Sequence, residues 1–242
     1  SAQTPKEISI VAPKFWCPFA CEANSEQQGF AIEIAKAALH EFGIKVKYTN
    51  MPYDRALLEV KKGVMVQAVV PTFKEEAPNF IYPQHATSAT EYCFYVKNQS
   101  RWRFTDFSTL NNISFAATSG YVYSPKMDAY IDLHANKTEG GVYLLKGEDI
   151  PDRMFGMIIN SRYDAFIEDT RLIDYLLSNK KLYGIKKAGC LDVINYGYLA
   201  LTPSKEFPSK QFAKYFDDGI LILRENGKLK KILKKYGVED WQ

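Results

Sequence analysis

The sequence contains no apolar run near the roughly 18 residues that a membrane-spanning helix requires, and its first residues show no apolar core of a signal peptide. It also carries no excess of one charge, since 31 basic and 28 acidic residues leave a net charge of +3. The basic stretch Lys228–Lys235 has apolar residues at helical spacing and no interleaved aromatic residues, so it indicates the solvated face of a terminal helix. These absences argue against a membrane-spanning segment and against a nucleic-acid partner.

Histidine and cysteine are both scarce. The three histidines are His40, His85 and His134. None lies near a cysteine in the sequence, so a zinc site of clustered ligands is not predicted. Cys17 and Cys21 share one short loop, which favours a local disulfide. Cys93 and Cys190 fall on distant apolar segments and are predicted first as buried free cysteines, with a second disulfide as the alternative.

Sequence motifs of common catalytic and nucleotide-binding sites are missing as well. The chain has no G-x-G-x-x-G, no Walker pattern and no G-x-S-x-G. We therefore predict no catalytic residue, no metal ligand and no cofactor. The 46% hydrophobic content of the 242 residues is enough for one large core or two smaller ones, as in an ordinary globular protein.

Strand and helix periodicities alternate along the chain, which predicts an α/β fold with a largely parallel sheet. The predicted strands are residues 8–11, 45–48, 66–70, 93–96, 113–117, 165–167 and 196–201. The predicted helices are residues 29–42, 52–60, 125–133, 152–160, 170–177, 210–225 and 228–236.

No flexible linker rich in glycine, serine or proline separates the two βα sets. We therefore expect the halves to be joined by strands, at residues 92–97 and 196–202. This predicts a first lobe of residues 1–97 and 196–242, and a second lobe of residues 98–195.

Several ordered motifs together resemble one protein family along essentially the whole chain. They are Trp16-x-Pro18-Phe19 before Gly29-Phe30-x-Ile32-Glu33-Ile34-Ala35; Met51-Pro52-Tyr53-x-Arg55-Ala56; Ser119-Gly120-Tyr121-x-Tyr123; Asp164-Ala165-x-x-x-Asp169; and Leu223-Arg224-x-x-Gly227-x-Leu229-x-x-Ile232-Leu233-x-x-Tyr236-Gly237. The family is that of the extracytoplasmic solute-binding proteins for polar amino acids, family 3.

The resemblance implies a type II periplasmic-binding-protein-like fold, with two α/β lobes joined by two crossing strands and a cleft that closes on its ligand. It implies a periplasmic or otherwise exported monomer that captures a small polar solute and delivers it to the membrane permease of an ABC importer. The alternatives are a ligand-sensing domain of a signalling receptor and a dehydratase-like enzyme with Glu168 or Glu76 as a general acid.

By resemblance, the second-lobe acid that receives a solute's ammonium group is Asp169. An aspartate at this position is equally suited to cap the following helix, and the two roles are compatible. Glu168 is predicted to face away and to be structural. In the first lobe, Tyr53 matches an aromatic residue that stacks on the solute, Trp16 is a candidate wall of the cleft, and Thr72 is a candidate hydroxyl donor at a strand end.

Gly120 follows a predicted strand and precedes a helix, so nearby backbone amides are candidates to bind an anionic or carbonyl group. The alternative is a glycine that only permits a tight turn. Tyr121 and Tyr123 flank this turn and are candidate ligand contacts, with ordinary core packing as the alternative for each.

The sequence departs from the family where an arginine is expected to bind the ligand's carboxylate. Glu76 stands near that place, and a carboxylate repels another carboxylate. Either Arg55 or Lys74 takes over this role, or the solute is not an ordinary α-amino acid.

Overall fold

The computed structural model describes residues 4–135, 141–179 and 181–242. The chain divides into two compact units, Ser1–Ala89 with Tyr196–Gln242 as unit 1 and Thr90–Asn195 as unit 2. Among the described helices, none combines the length and the apolar character needed to cross a membrane.

Strands and helices alternate along most of the chain. The exceptions are two successive strands between residues 68 and 97 and two successive helices between residues 209 and 235. The strands are β1 (Glu7–Ala12), β2 (Lys45–Asn50), β3 (Ala68–Thr72), β4 (Ser88–Lys97), β5 (Ser114–Thr118), β6 (Gly141–Leu145), β7 (Ala165–Asp169) and β8 (Ile185–Leu201). The helices are α1 (Phe30–His40), α2 (Tyr53–Lys62), α3 (Pro125–His134), α4 (Ile150–Ile159), α5 (Thr170–Ser178), α6 (Ser209–Glu225) and α7 (Lys228–Lys235), with a 3₁₀ helix at Phe107–Asn112. The chain passes from one unit to the other within β4 and within β8.

The sheet of unit 1 has the strand order β2-β1-β3-β8. Strand β1 runs parallel to β2 and to β3, whereas β8 is antiparallel to β3. Because β1, β2 and β3 are parallel, their carboxyl ends Ala12, Asn50 and Thr72 lie at one edge of the sheet. In open α/β sheets this is the edge at which ligands bind.

Helices α1 and α6 of unit 1 pack against each other through a very small residue. Helix α1 buries Phe30, Ile34 and Ala38, which follow one another at a spacing of four residues. The carbonyl oxygen of Ala38 lies only 2.2 Å from the point that a Cβ atom would occupy at Gly219 of α6. The close approach of the two helices therefore depends on glycine at this position.

The sheet of unit 2 has the strand order β4-β7-β5-β6. Strand β5 is parallel to β6 and β7, and β4 is antiparallel to β7 with Tyr92 opposite Asp169. Its core is built around Phe94, Phe115 and Met127, all fully buried. The carboxyl ends of β5, β6 and β7 again share one edge, and Asp169 is the last residue of β7.

Two strand segments have no counterpart among the predicted elements, namely β6 and residues 185–195 of β8. In β6 the alternation of buried and exposed positions is irregular, and the first half of β8 contains several exposed residues, including Val193 and Ile194. Strand β6 exists because it pairs along its full length with β5, from Ser114 opposite Gly141 to Thr118 opposite Leu145. The hydrophobic pattern of residues 141–145 alone does not indicate that β5 is available to pair with them.

All four cysteines are bonded, as Cys17–Cys21 and Cys93–Cys190. The local disulfide agrees with its prediction. The prediction that Cys93 and Cys190 are free is wrong, because β4 and β8 bring these distant residues together. Glu91 lies near both sulfurs, but a disulfide has no thiolate to offer a metal ion.

Candidate functional site

Trp16 is positioned by the short disulfide-closed loop that follows β1. The backbone N–H groups of Phe19 and Ala20 donate hydrogen bonds to its carbonyl oxygen at 2.7 and 2.9 Å. The Tyr48 hydroxyl of β2 donates a hydrogen bond to the carbonyl oxygen of Cys21 and so ties the loop to the sheet. These contacts hold Trp16 near the carboxyl ends of β1 and β2.

The side chain of Trp16 meets Tyr53, the first residue of α2. Their ring centroids lie 4.8 Å apart, with an angle of 54° between the ring planes. The Tyr53 hydroxyl donates a hydrogen bond to Oε1 of Glu76 at 2.7 Å. The structure therefore brings together two predicted ligand contacts and the glutamate that stands near the position where the family's arginine was expected.

Tyr82 completes this group. Its hydroxyl donates a hydrogen bond to the carbonyl oxygen of Ala77 at 2.6 Å. Burial raises the pKa of Tyr82 most, and the nearby charge of Glu76 raises it further. We call Trp16, Tyr53, Glu76 and Tyr82 the aromatic–acid cluster.

Thr72 lies beside the aromatic–acid cluster at the end of β3. It is fully buried, and its hydroxyl donates a hydrogen bond to the carbonyl oxygen of Val69 at 3.3 Å. The side chain of Thr72 also lies close enough to Tyr53 to lower the pKa of its hydroxyl slightly, against the larger effect of burial. Thr72 therefore adjoins the predicted site, with its hydroxyl turned to the protein itself.

The carboxyl group of Glu76 has an unusual environment. Burial raises its pKa to about 7, and the charges of Glu75 and Asp54 add to this rise, whereas the hydrogen bond from Tyr53 opposes it. Within the described part of the chain, no lysine, arginine or histidine forms an ion pair with Glu76. Burial and the charge of Glu76 also raise the pKa of Tyr53, which therefore stays a neutral donor.

Arg55 and Lys74 are the two candidates to replace the missing arginine. Both side chains are exposed. The Nζ atom of Lys74 lies 4.4 Å from the ring centroid of Tyr198 and 5.8 Å from that of Tyr82, so its ammonium group rests on aromatic surface next to the aromatic–acid cluster. Arg55, by contrast, makes no ion pair with any described residue.

In unit 2, Asp169 caps helix α5. Its Oδ1 atom accepts hydrogen bonds from the backbone N–H groups of Arg171 and Leu172 at 2.9 and 3.0 Å, and Oδ2 accepts one from the N–H of Glu91 at 3.0 Å. The side chain is only 4% exposed. The helix-cap role is thus present in the structure, and contact with a solute stays a prediction.

Glu168, the neighbour of Asp169, is 3% exposed, and its Oε1 atom accepts a hydrogen bond from the backbone N–H of Asp169 at 2.7 Å. Burial raises the pKa of Glu168 to about 8, with a further contribution from the charge of Asp169. Burial also raises the pKa of Asp169 to about 7, against the opposite effect of its backbone donors. Unit 2 therefore holds two adjacent carboxyl groups whose ionised forms are disfavoured.

We expect the free energy of unfolding to fall by on the order of a few kcal/mol between pH 4.5 and pH 8. The pKa of Glu168 is raised from 4.5 to about 8 in the folded state, so in this window the folded protein binds more protons than the unfolded chain. Rising pH therefore favours unfolding. Denaturant unfolding at several pH values measures the slope, and Glu168→Gln should flatten it whereas Glu239→Gln, at an exposed position, should not. An unchanged slope in the Glu168 variant would contradict this explanation.

The remaining predicted residues surround the turn after β5. Gly120 is exposed and has a φ of +84°, a conformation that side chains rarely adopt, so the turn itself requires glycine. Tyr123 is 1% exposed, and its hydroxyl accepts a hydrogen bond from the N–H of Thr118 at 2.8 Å. Tyr121 is partly buried, with its ring centroid 6.0 Å from that of Tyr123. The position of Tyr123 favours the core-packing alternative.

Three residues of these sites were not predicted: Tyr82, Tyr198 and Glu91. Glu91 reaches Asp169 only because β4 pairs with β7. Tyr82 and Tyr198 contact each other edge to face with ring centroids 5.9 Å apart, although they are distant in sequence. No local sequence pattern identifies these residues, because each meets its partner only through contacts between segments that are distant in sequence.

Comparison with known proteins places the chain among binding proteins. Residues 8–239 match the family model of the bacterial extracellular solute-binding proteins, family 3. A relative is the probable amino-acid-binding protein YxeM of Bacillus subtilis (strain 168), which is 24% identical over 235 residues, covering 92% of this chain and 81% of that protein.

Solved structures show the same fold. A structure from work on glutathione import via GshT and the cystine ABC importer TcyBC of Streptococcus mutans superimposes with a TM-score of 0.77 at 19% identity, covering 96% of this chain and 95% of that one. The amino acid ABC transporter substrate-binding protein AbpA of Streptococcus pneumoniae, bound to L-arginine, gives a TM-score of 0.72 at 18% identity, covering 97% of both chains.

These matches confirm the predicted fold class, two α/β lobes of the type II periplasmic-binding-protein kind. The match to the family model extends over nearly the whole chain. The chain therefore belongs to the bacterial extracellular solute-binding proteins, family 3, and is a solute-binding receptor.

Proposed function

We propose that this receptor captures a small polar solute, an amino acid or a related compound, outside the cytoplasm and delivers it to the permease of an ABC importer. The family match over residues 8–239 is the observation that carries the proposal. The aromatic–acid cluster of unit 1 supports it, because aromatic walls with a few oriented polar groups are typical of small-molecule sites. The two disulfides support an exported location, where such bonds persist.

In this proposal the contacts come from the carboxyl edges of the parallel strands. The candidate contacts within unit 1 are Trp16 and Tyr53, with Thr72 beside them, and the candidates within unit 2 are Asp169 and the turn at Gly120. The proposal includes neither a cofactor nor catalysis, and it treats the receptor as a monomer. Mass spectrometry of the bound solute after incubation tests the dehydratase alternative, because a changed mass would mean turnover.

The proposal is tested by a thermal-shift screen of amino acids, oligopeptides, polyamines, organic acids and sugars, followed by calorimetry. A solute at 100 times its Kd should stabilise the protein by about 2.7 kcal/mol. Trp16→Ala should weaken its binding about tenfold, because an aromatic contact is lost. Tyr183→Ala is the matched control, since that ring is 67% exposed in unit 2.

Two results would count against the receptor assignment of this site. One is a screen in which no class of solute raises the melting temperature. The other is a bound solute whose affinity is the same in the Trp16 variant, the Tyr183 variant and the wild type.

A further inference from the structure

Given the proposed function, we infer that the aromatic–acid cluster binds a cationic group of the solute, a primary ammonium or a guanidinium. Unit 1 thus selects a positive charge near the place where a carboxylate-binding arginine was expected. The solute class is then that of amines and guanidines. An α-carboxylate is not the group recognised by this cluster.

The arrangement of side chains is that of a cation site. The rings of Trp16 and Tyr53 stand 4.8 Å apart at 54°, and the Tyr53 hydroxyl is bonded to Glu76. The hydroxyl of Tyr82 is bonded to a backbone carbonyl oxygen. The two phenol hydroxyls are thus engaged with the protein, Tyr53 directly with Glu76, and Tyr82 lies near enough to be affected by the charge of Glu76. Aromatic faces and a carboxylate both attract a cation, and a partly desolvated setting strengthens the attraction.

The charges around Glu76 favour the same sign of ligand. No described cation is ion-paired with this carboxyl group, and the charges of Glu75 and Asp54 hinder its ionisation. A bound cation relieves this repulsion and stabilises the ionised form. A carboxylate placed at the same point meets repulsion and gains no bidentate partner.

The chain provides an internal example of the proposed contact. The ammonium group of Lys74 lies 4.4 Å from the ring centroid of Tyr198 and 5.8 Å from that of Tyr82. This part of unit 1 therefore already holds an ammonium group on aromatic surface. Lys74 also defines the competing hypothesis, in which it binds a solute carboxylate.

Calorimetry with defined probes separates these two hypotheses. The cationic probes are putrescine, agmatine, L-lysine and L-arginine, and the matched non-cationic probes are L-glutamine, succinate and glucose. We expect at least one cationic probe to bind, and Glu76→Gln to weaken it on the order of 10- to 100-fold, as for loss of a charge-assisted contact. Glu75→Gln removes the same charge from the adjacent exposed position and should change the affinity less than about threefold, a small fraction of a charge-assisted contact.

Folding of each variant is checked by its circular dichroism spectrum and melting temperature. Failure of every cationic probe to bind the wild type, or equal affinities in the two glutamine variants, overturns the cation inference. If L-glutamine or succinate binds instead and loses affinity in Lys74→Met, the receptor assignment stands with Lys74 as the carboxylate-binding group. If no solute of any class binds, the proposed function itself fails along with the inference.

Discussion

Replacement of both Cys93 and Cys190 by alanine is expected to lower the free energy of unfolding by about 4–5 kcal/mol. The bond joins residues 97 positions apart, so in the unfolded chain it closes a long loop and removes much conformational entropy. The Cys17–Cys21 bond closes a loop of only a few residues, with a sequence separation of 4. By the same entropy argument its removal costs about 2 kcal/mol.

The two double variants, C93A/C190A and C17A/C21A, are therefore a matched pair. Guanidinium unfolding of each double variant, compared with the oxidised wild type, gives the loss of unfolding free energy for each disulfide. The reduced wild type gives the loss for both disulfides together. A larger loss for the local disulfide than for the long-range one would contradict the loop-closure explanation. The long-range bond also bears on the site, because Glu91, two residues before Cys93 on β4, donates its N–H to Asp169.

Substitution Gly219→Ala is expected to destabilise unit 1 by about 3 kcal/mol, at the upper end for an overpacked core. The added Cβ atom would lie 2.2 Å from the carbonyl oxygen and 2.8 Å from the Cα atom of Ala38. These are backbone atoms, which cannot rotate away as the end of a side chain can. Helices α1 and α6 must then separate, and the apolar contacts between them are weakened.

Gly156→Ala is the matched control for this substitution. Gly156 lies in helix α4, and no described heavy atom of a neighbouring segment lies within 4 Å of the point that a Cβ atom would occupy there. Alanine there should stabilise the protein by about 0.5–1 kcal/mol, because it loses less backbone entropy on folding than glycine. Thermal and denaturant unfolding of both variants measures the contrast. A Gly219 variant as stable as the wild type would show that the helices move apart at little cost.

The candidate site could be predicted from the sequence only in part. Asp169 could be identified because an acid between an apolar strand and a helix start is a local pattern, and its cap hydrogen bonds are local as well. Tyr53 and Trp16 were identified by resemblance, and the structure shows that their rings meet. The environment of Glu76 could not be predicted, because Tyr53 and Tyr82 approach it only through the folding of unit 1.

By itself, the sequence determined the properties that depend on neighbours along the chain. These are the βα alternation, most of the helix and strand positions, the Cys17–Cys21 loop and the helix start at Asp169. Periodicity and capping reveal such features because their interactions span only a few residues. The tertiary structure alone decided the Cys93–Cys190 bond, the existence of β6, the contact of Glu91 with Asp169 and the hydrogen bond of Tyr53 with Glu76. Each of these depends on which strands pair and in which register, and that choice is made by the packing of distant segments rather than by any one of them.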